Sequence, residues 1–269
     1  MRMNRALSIA ALTAAASAAT SVNAQNVELQ VTVENLAPTN GVTFAPLRVG
    51  FHNGTFDAFN NGEAPFLLGE ADIASAPIVS VAEGGSGSTW FPAFAAADPT
   101  ATLGSVLPDP AGPLLPGGVG TATFTIDSDI NQFFTFAAMV VPSNDLFIGN
   151  DNAQQYRILD DDGNLLINEI IQTGAEVWDA GSEVADPSAA AFVVGGDNSA
   201  RVNENGVVSF ELDELAAFDG VETPAGFNYD NSLISASSEI YRITFRVIPA
   251  TPAFAAFGLA GLAVARRRR

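Results

Sequence analysis

Residues 138 to 149 read AMVVPSNDLFIG, and we expect the rest of the domain to be organised around this stretch. Six apolar residues, Phe136 to Val141, stop at Pro142, and Asn144 and Asp145 follow before the chain turns apolar again. A short apolar run bounded by proline and an Asn-Asp pair is typical of a buried strand that ends in a polar turn. The pattern therefore predicts a carboxylate, that of Asp145, held at a fixed place beside the core.

A second acidic motif follows some thirty residues later, where residues 178 to 183 read WDAGSE. Asp179 and Glu183 are four positions apart and flank Gly181. Glycine permits a sharp turn, so both carboxylates can be brought to one point, with Trp178 packed beneath the loop. Converging carboxylates repel one another unless a cation lies between them.

Together the two motifs closely resemble the spondin N-terminal domain, the module of F-spondin and mindin that also occurs in secreted bacterial proteins. The segment HNGTFDAFNNGE, residues 52 to 63, is similar to a stretch of the bacterial members. The resemblance implies an all-β, antiparallel β-sandwich, C2-like, with long loops and a bound calcium ion. It implies that Asp145, Asp179 and Glu183 are the metal ligands. Glu183 stands where the animal domains have aspartate.

The composition indicates an acidic, cysteine-free protein of 269 residues. Six of the eleven arginines lie at the two ends, and there is no lysine. Between the ends, five arginines face all thirty acids, a formal charge of −25. A body this acidic repels phosphate backbones and favours divalent cations, so we expect no nucleic acid partner. Without cysteine, disulfides and thiolate metal sites are excluded.

Both ends predict export. Residues 1 to 24 have the positive start, alanine-rich run and small residue of a secretory signal peptide. Residues 248 to 269 combine a proline-containing lead, a short uncharged run from Ala253 to Ala265 and four arginines, and they resemble the PEP-CTERM sorting signal. That resemblance implies an exosortase-type processing enzyme as a partner and a transient membrane anchor. The lead lacks the usual Pro-Glu-Pro, which leaves a plain transmembrane anchor as the alternative.

Between the ends, residues 25 to 247 predict one domain of eight to ten short strands. Alternating or continuous apolar patterns predict strands from Asn26, at Thr121–Asp127, at Phe133–Val141 and at Ile240–Val247. Further strands are predicted at 42–51 (an edge strand, because of Pro46), 77–82, 190–194 and 207–212. Residues 83 to 118 predict a long loop, and 156–171 a hairpin whose DDDGN turn only superficially matches an EF-hand.

The function implied by the resemblance is a secreted or cell-surface calcium-binding module that attaches to extracellular matrix, polysaccharide or another surface ligand. A passive structural matrix component is the alternative. A secreted hydrolase that uses paired carboxylates is a weaker one, because the sequence has no Gly-x-Ser-x-Gly, no His-Glu-x-x-His and a single histidine. We therefore expect no enzymatic activity, and we expect His52 to be a loop or packing residue.

Overall fold

The computed structural model describes residues 26–65 and 76–249, and it confirms an all-β sandwich of two antiparallel sheets. The strands are β1 Asn26–Asn35, β2 Thr43–Phe44, β3 Leu47–His52, β4 Thr102–Val106, β5 Val119–Asp127, β6 Phe133–Val141, β7 Leu146–Gly149, β8 Glu169–Thr173, β9 Trp178–Asp179, β10 Ser209–Phe210 and β11 Glu239–Ile248. The helices in this part are α1 Pro77–Gly84, α2 Trp90–Ala97 and the short 3-10 helices Gly174–Glu176, Asn198–Ala200, Leu212–Phe218 and Asn231–Leu233.

The smaller sheet has the order β5-β1-β11-β8, so strands from both ends of the domain pair at its centre. The larger sheet has the order β10-β9-β7-β6-β3-β4, with β2 paired to β6. In the smaller sheet Val31 lies opposite Phe245, and in the larger one Leu146 lies opposite Asp179. This second pairing brings the AMVVPSNDLFIG and WDAGSE motifs side by side.

Strand β6 is the centre of the molecule because it is covered on both faces. Phe134 and Phe136 face the smaller sheet and join the main core, while Ala137 faces a second core under the helices. Eight of its nine residues are buried. A strand buried on both faces reads as a continuous apolar run instead of an alternating one, which explains the sequence of this stretch.

Helices α1 and α2 form a third layer on the outer face of the larger sheet. Phe94 of α2 is fully buried and lies directly over Gly50 of β3. A Cβ atom on Gly50 would come within 2.4 Å of the Phe94 ring. A glycine inside a strand marks such a close approach, and here it lets the helix pack against the sheet.

Several of the sequence-based predictions in this region are wrong. Residues 77–82, predicted as a strand, form α1, because helix packing on the sheet overrides the preference of isoleucine and valine for strands. The predicted loop at 83–118 contains α2 and β4. Strand β3 is not an edge strand but lies between β6 and β4, since Pro46 falls in the break before it. Residues 190–194 form turns and not a strand.

Other predictions are confirmed. Strands β5, β6 and β11 fall where the patterns placed them, β6 at the same residues. The turn at 160–164 is closed by the bridge between Leu159 and Leu165, as the predicted hairpin requires. The hairpin strands predicted on either side of it, within 156–171, do not form, and residues 169–171 begin β8, which pairs with β11. The Asp160 carboxylate accepts hydrogen bonds from the backbone N–H groups of Asp162 and Asn164, as a turn residue does.

No helix in residues 26–65 or 76–249 is long and apolar enough to cross a bilayer. The predicted signal peptide, 1–24, and the predicted sorting signal, 248–269, lie almost wholly outside the described residues. Both therefore stay predictions.

The contact between Gly50 and Phe94 gives a test of the packing. Gly50→Ala would force the ring of Phe94 to move, so we expect a loss of about 1–3 kcal/mol in the free energy of unfolding, measured by denaturant titration. Gly84→Ala is the control, because a Cβ there meets nothing closer than 3.9 Å at the end of α1. It should be neutral or stabilise the protein slightly. Equal effects of the two substitutions would contradict this packing.

Candidate metal centre

The turn between β6 and β7 is held by its own side chains before any ligand is considered. The Ser143 hydroxyl donates to the carbonyl of Val140 at 2.6 Å and accepts from the N–H of Leu146 at 3.1 Å. Asn144 accepts from the N–H of Asp186 at 2.8 Å. These bonds fix the backbone on both sides of Asp145, as the sequence predicted for a carboxylate next to a buried strand.

The Asp145 carboxylate is buried and unevenly bonded. Its Oδ2 atom accepts three hydrogen bonds, from the N–H and hydroxyl of Ser182, both at 2.8 Å, and from the N–H of Glu183 at 2.9 Å. Its Oδ1 atom is buried and has no hydrogen-bond donor within the described residues. Burying a carboxylate oxygen without a hydrogen-bond partner costs free energy, so a ligand bound at this atom would stabilise the folded state.

Asp179 comes to the same place from β9. Its Oδ1 atom accepts from the N–H of Gly181 at 2.8 Å, which closes a tight turn. Gly181 has φ of +64°, and a Cβ there would lie 2.7 Å from the backbone nitrogen of Val207. The glycine is therefore required by both conformation and space. The neighbouring Trp178 donates from its indole N–H to the Gly149 carbonyl at 3.0 Å, which anchors the strand.

The third carboxylate is that of Glu214, which lies in the 3-10 helix Leu212–Phe218. One oxygen from each of Asp145, Asp179 and Glu214 lies within 4.8 Å of the other two. Asp145 and Asp179 are buried and Glu214 is half-buried. Three acidic oxygens at this separation, from three different segments, can surround one cation.

Glu183, the third ligand predicted from the sequence, is outside this group of three. Its Oε2 accepts from the Asn144 amide at 3.1 Å, and its Oε1 lies 2.9 Å from Nε of Arg201, an ion pair without hydrogen-bond geometry. Arg201 also donates to both oxygens of Glu83. The structure thus brings Asp145 and Asp179 together and directs the Glu183 carboxylate to an arginine. What Glu183 contributes through its backbone is the N–H bond to Asp145.

The electrostatics of the cluster favour protons or a cation. Burial, with Asp145 and Glu214 close by, raises the pKa of Asp179 to about 9. Burial and the charges of Asp145 and Glu204 raise the pKa of Glu214 to about 8. Burial also raises the pKa of Asp145, against the effect of its hydrogen bonds. Three carboxylates this close cannot all be ionised cheaply without a counter-charge.

His52 has the packing role that the sequence predicted. Its Nδ1 accepts from the N–H of Gly54 at 3.1 Å, so Nε2 carries the proton and donates to the Thr135 hydroxyl at 2.9 Å. Burial lowers the pKa of His52 to about 4. The ring lies edge-on to that of Phe94, with centroids 5.1 Å apart.

A separate polar hollow of about 390 Å³ lies beside the segment that follows β3. Asp57 and Asp151 line it together with Asn60, Asn152 and Gln154. Burial and the charge of Asp151 raise the pKa of Asp57 to about 6. Asp57 and Asp151 thus face an open hollow and are not part of the cluster formed by Asp145, Asp179 and Glu214.

Glu214 is the residue that sequence reasoning missed. Glu214 belongs to no motif. It reaches the cluster because Ser209 of β10 pairs with Asp179, and this pairing places the helix Leu212–Phe218 next to Asp179. The only signal in the sequence is an acidic pair, Asp213 and Glu214, directly before the apolar Leu215.

Comparison with known proteins adds no support to the resemblance to the spondin domain. No model of a known protein family matches the sequence, and no curated protein is significantly similar to it. The assignment of a function therefore depends on the site itself.

The raised pKa values predict how stability depends on pH in the presence of a chelator. Asp179 and Glu214 bind protons in the folded state at pH values where the unfolded chain has released them. Stability should therefore fall as the pH rises from about 7 to about 8.5, a range above the ordinary carboxyl and histidine pKa values. We expect denaturant titrations to show this slope, and Asp179→Asn combined with Glu214→Gln to flatten it. A flat or rising profile for the unsubstituted chain would contradict the burial of these acids.

Proposed function

We propose that Asp145, Asp179 and Glu214 bind a calcium ion that stabilises this end of the sandwich. The proposal is carried by two facts together: one oxygen of each of the three carboxylates lies within 4.8 Å of the others, and the buried Oδ1 atom of Asp145 has no donor in the described residues. Oxygen donors alone, with neither cysteine nor histidine in the group, suit a hard cation better than zinc or copper.

Three side chains do not complete the coordination of calcium, which takes 6 to 8 oxygen ligands at about 2.3–2.6 Å. Bidentate carboxylates, backbone carbonyls and water are the usual additions. The smaller magnesium ion demands near-octahedral geometry and keeps several waters, so a cluster in which buried carboxylates converge favours calcium.

Binding should stabilise the fold by linkage. The unfolded chain has no preformed cluster, so the ion binds the folded state alone. At a hundredfold excess of calcium over its dissociation constant, the gain is about 2.7 kcal/mol. The same binding displaces the protons that the isolated cluster holds, so calcium affinity should rise with pH.

Substitutions distinguish the proposed ligand set, which includes Glu214, from the set predicted from the sequence, which has Glu183 instead. We expect calcium to raise the melting temperature of the unsubstituted chain and a chelator to lower it. Asp179→Asn and Glu214→Gln should each remove most of this response, because each deletes one charged ligand. Glu183→Gln should retain it, since that carboxylate pairs with Arg201.

Two substitutions serve as controls. Asp213→Asn removes the same charge from the exposed neighbour of Glu214, and Asp161→Asn does so in the hairpin turn. Both should leave the calcium response intact. If a chelator has no effect on the folded chain, or if Glu183→Gln loses the response while Glu214→Gln keeps it, the proposed ligand set is wrong.

We propose further that the protein is exported and works as a calcium-stabilised binding module at the cell surface or in the extracellular matrix, with a polysaccharide or another surface component as its ligand. The support is the formal charge of −25 between the two ends, the export-like termini, and the resemblance of the two acidic motifs to the spondin domain. A passive structural matrix component is the alternative.

A carboxylate-dependent hydrolase is the other candidate, and the polar hollow with Asp57 and Asp151 is the site that favours it. The raised pKa of Asp57 suits a general acid, and the Asp151 carboxylate lines the same hollow. The hollow holds no histidine, and it lies apart from the residues of the proposed calcium site.

A glycan array with calcium present discriminates among these functions. Specific, saturable binding that is lost with a chelator supports the binding module. Release of sugar that Asp57→Asn abolishes would support the hydrolase instead. Neither binding nor release, from protein shown to be folded, would favour the passive matrix role.

A further inference from the structure

An apolar cleft of about 430 Å³ lies where β2, β3, the end of β6 and the C-terminus of α1 meet, and none of the three clustered carboxylates lines it. Its walls are mostly proline, alanine and glycine, with the side chains of Leu115 and Phe192 at the rim. Both rim residues are more than a third exposed, although they are large and apolar. A concave apolar surface of this size is typical of small-molecule sites.

Of the residues that the structure describes, Arg48 is the only charged one that lines this cleft. Its guanidinium donates from Nε to the carbonyl of Gly85 at 3.1 Å, from a second nitrogen to the same carbonyl, and from Nη1 to the Ser105 hydroxyl at 2.7 Å. These bonds use three of its five N–H groups and hold the side chain in one orientation. The group is therefore positioned before a ligand arrives.

Within the described part of the chain, the charge of Arg48 has no acidic partner. No carboxylate in residues 26–65 or 76–249 lies within 4.0 Å of its guanidinium, whereas Arg157, Arg201 and Arg242 each pair with one or two. The fifth arginine of this part, Arg246, is exposed and is hydrated by solvent. In a chain with thirty acids, a half-buried arginine without a counter-ion is the exception.

The structural role of Arg48 is to bind the Gly85 carbonyl directly after α1, near the negative end of the helix dipole. That role uses neutral acceptors and leaves a full positive charge facing an apolar wall. Burial lowers the pKa of Arg48, and the group stays charged at neutral pH. A carboxylate in the cleft would supply the missing charge and accept the remaining N–H groups in the paired geometry that guanidinium favours.

We propose that this cleft binds a small monocarboxylate with an apolar body, whose carboxylate pairs with Arg48 while its hydrocarbon part lies against Leu115 and Phe192. A single guanidinium matches one negative charge. The formal charge of −25 between the two ends of the chain disfavours phosphates and other multiply charged anions. The apolar walls disfavour free sugars, which need many polar partners.

Octanoate and 1-octanol are a matched pair of probes for this site, since they share the hydrocarbon chain and differ in the charge. Isothermal titration of the full chain, with a chelator present so that the calcium site plays no part, should show saturable binding of octanoate. Octanol should bind at least tenfold more weakly. Arg48→Gln should weaken octanoate binding about tenfold or more and leave octanol binding within about twofold.

Phe192→Ser tests the apolar wall of the cleft. The substitution should not impair folding, because the Phe192 side chain lies at the exposed rim. It should weaken both probes. Leu166→Ser is the control, a similarly exposed apolar residue in the hairpin that does not line the cleft, and it should change neither. The proposal is overturned if folded protein does not bind octanoate at millimolar concentration. It is also overturned if octanoate and octanol bind alike, or if Phe192→Ser and Leu166→Ser have equal effects.

Discussion

The three hydrogen bonds to Oδ2 of Asp145 are the interaction on which the candidate site depends. They join the turn after β6 to the loop after β9, two segments more than thirty residues apart in sequence. They also fix the carboxylate so that its other oxygen points away from every donor in the described residues. A buried carboxylate has one oxygen satisfied by hydrogen bonds here and one oxygen without a partner. It is favourable in its ionised form only when a positive charge approaches the second oxygen, and otherwise it takes up a proton.

The sandwich makes this arrangement possible because β6 is covered on both faces. The smaller sheet packs on one face and the two helices on the other, so the strand cannot shift, and the turn at its end is held in a fixed position. The register of β7 with β9 then places Asp179 beside Leu146, next to Asp145. Rigid elements deliver the two aspartates, and only Glu214 comes from a short helix outside the sheets. Because the two aspartates are positioned by the sheets, this arrangement favours a site that forms as the sandwich folds and is completed when the ion binds.

The fold class could be predicted from the sequence, because strands β1, β5, β6 and β11 have clear apolar patterns and the turns between them carry Asn, Asp, Gly and Pro. The helical layer could not. The residues of α1 favour strands when considered alone, and their helical state depends on packing against the sheet beneath them. In the candidate site, the proximity of Asp145 and Asp179 could be predicted, because the resemblance of their two motifs to the spondin domain implies that both carboxylates meet at one point. Glu214 could not, because its position depends on the pairing of the two-residue strand β10 with β9. Glu183 fitted the spacing, yet Arg201, distant from both motifs in sequence, lies beside its carboxylate.

The two proposed sites are opposite in character. The cluster around Asp145 gathers carboxylates suited to a cation, and the cleft around Arg48 presents a guanidinium suited to an anion. The first is the centre of the present account, and a crystal structure of the chain grown with calcium tests it most directly. The account predicts one ion bound by Oδ1 of Asp145 and by carboxylate oxygens of Asp179 and Glu214, at about 2.3–2.6 Å. Clear density for these side chains with no ion among them, or an ion bound by Glu183 in place of Glu214, would contradict it.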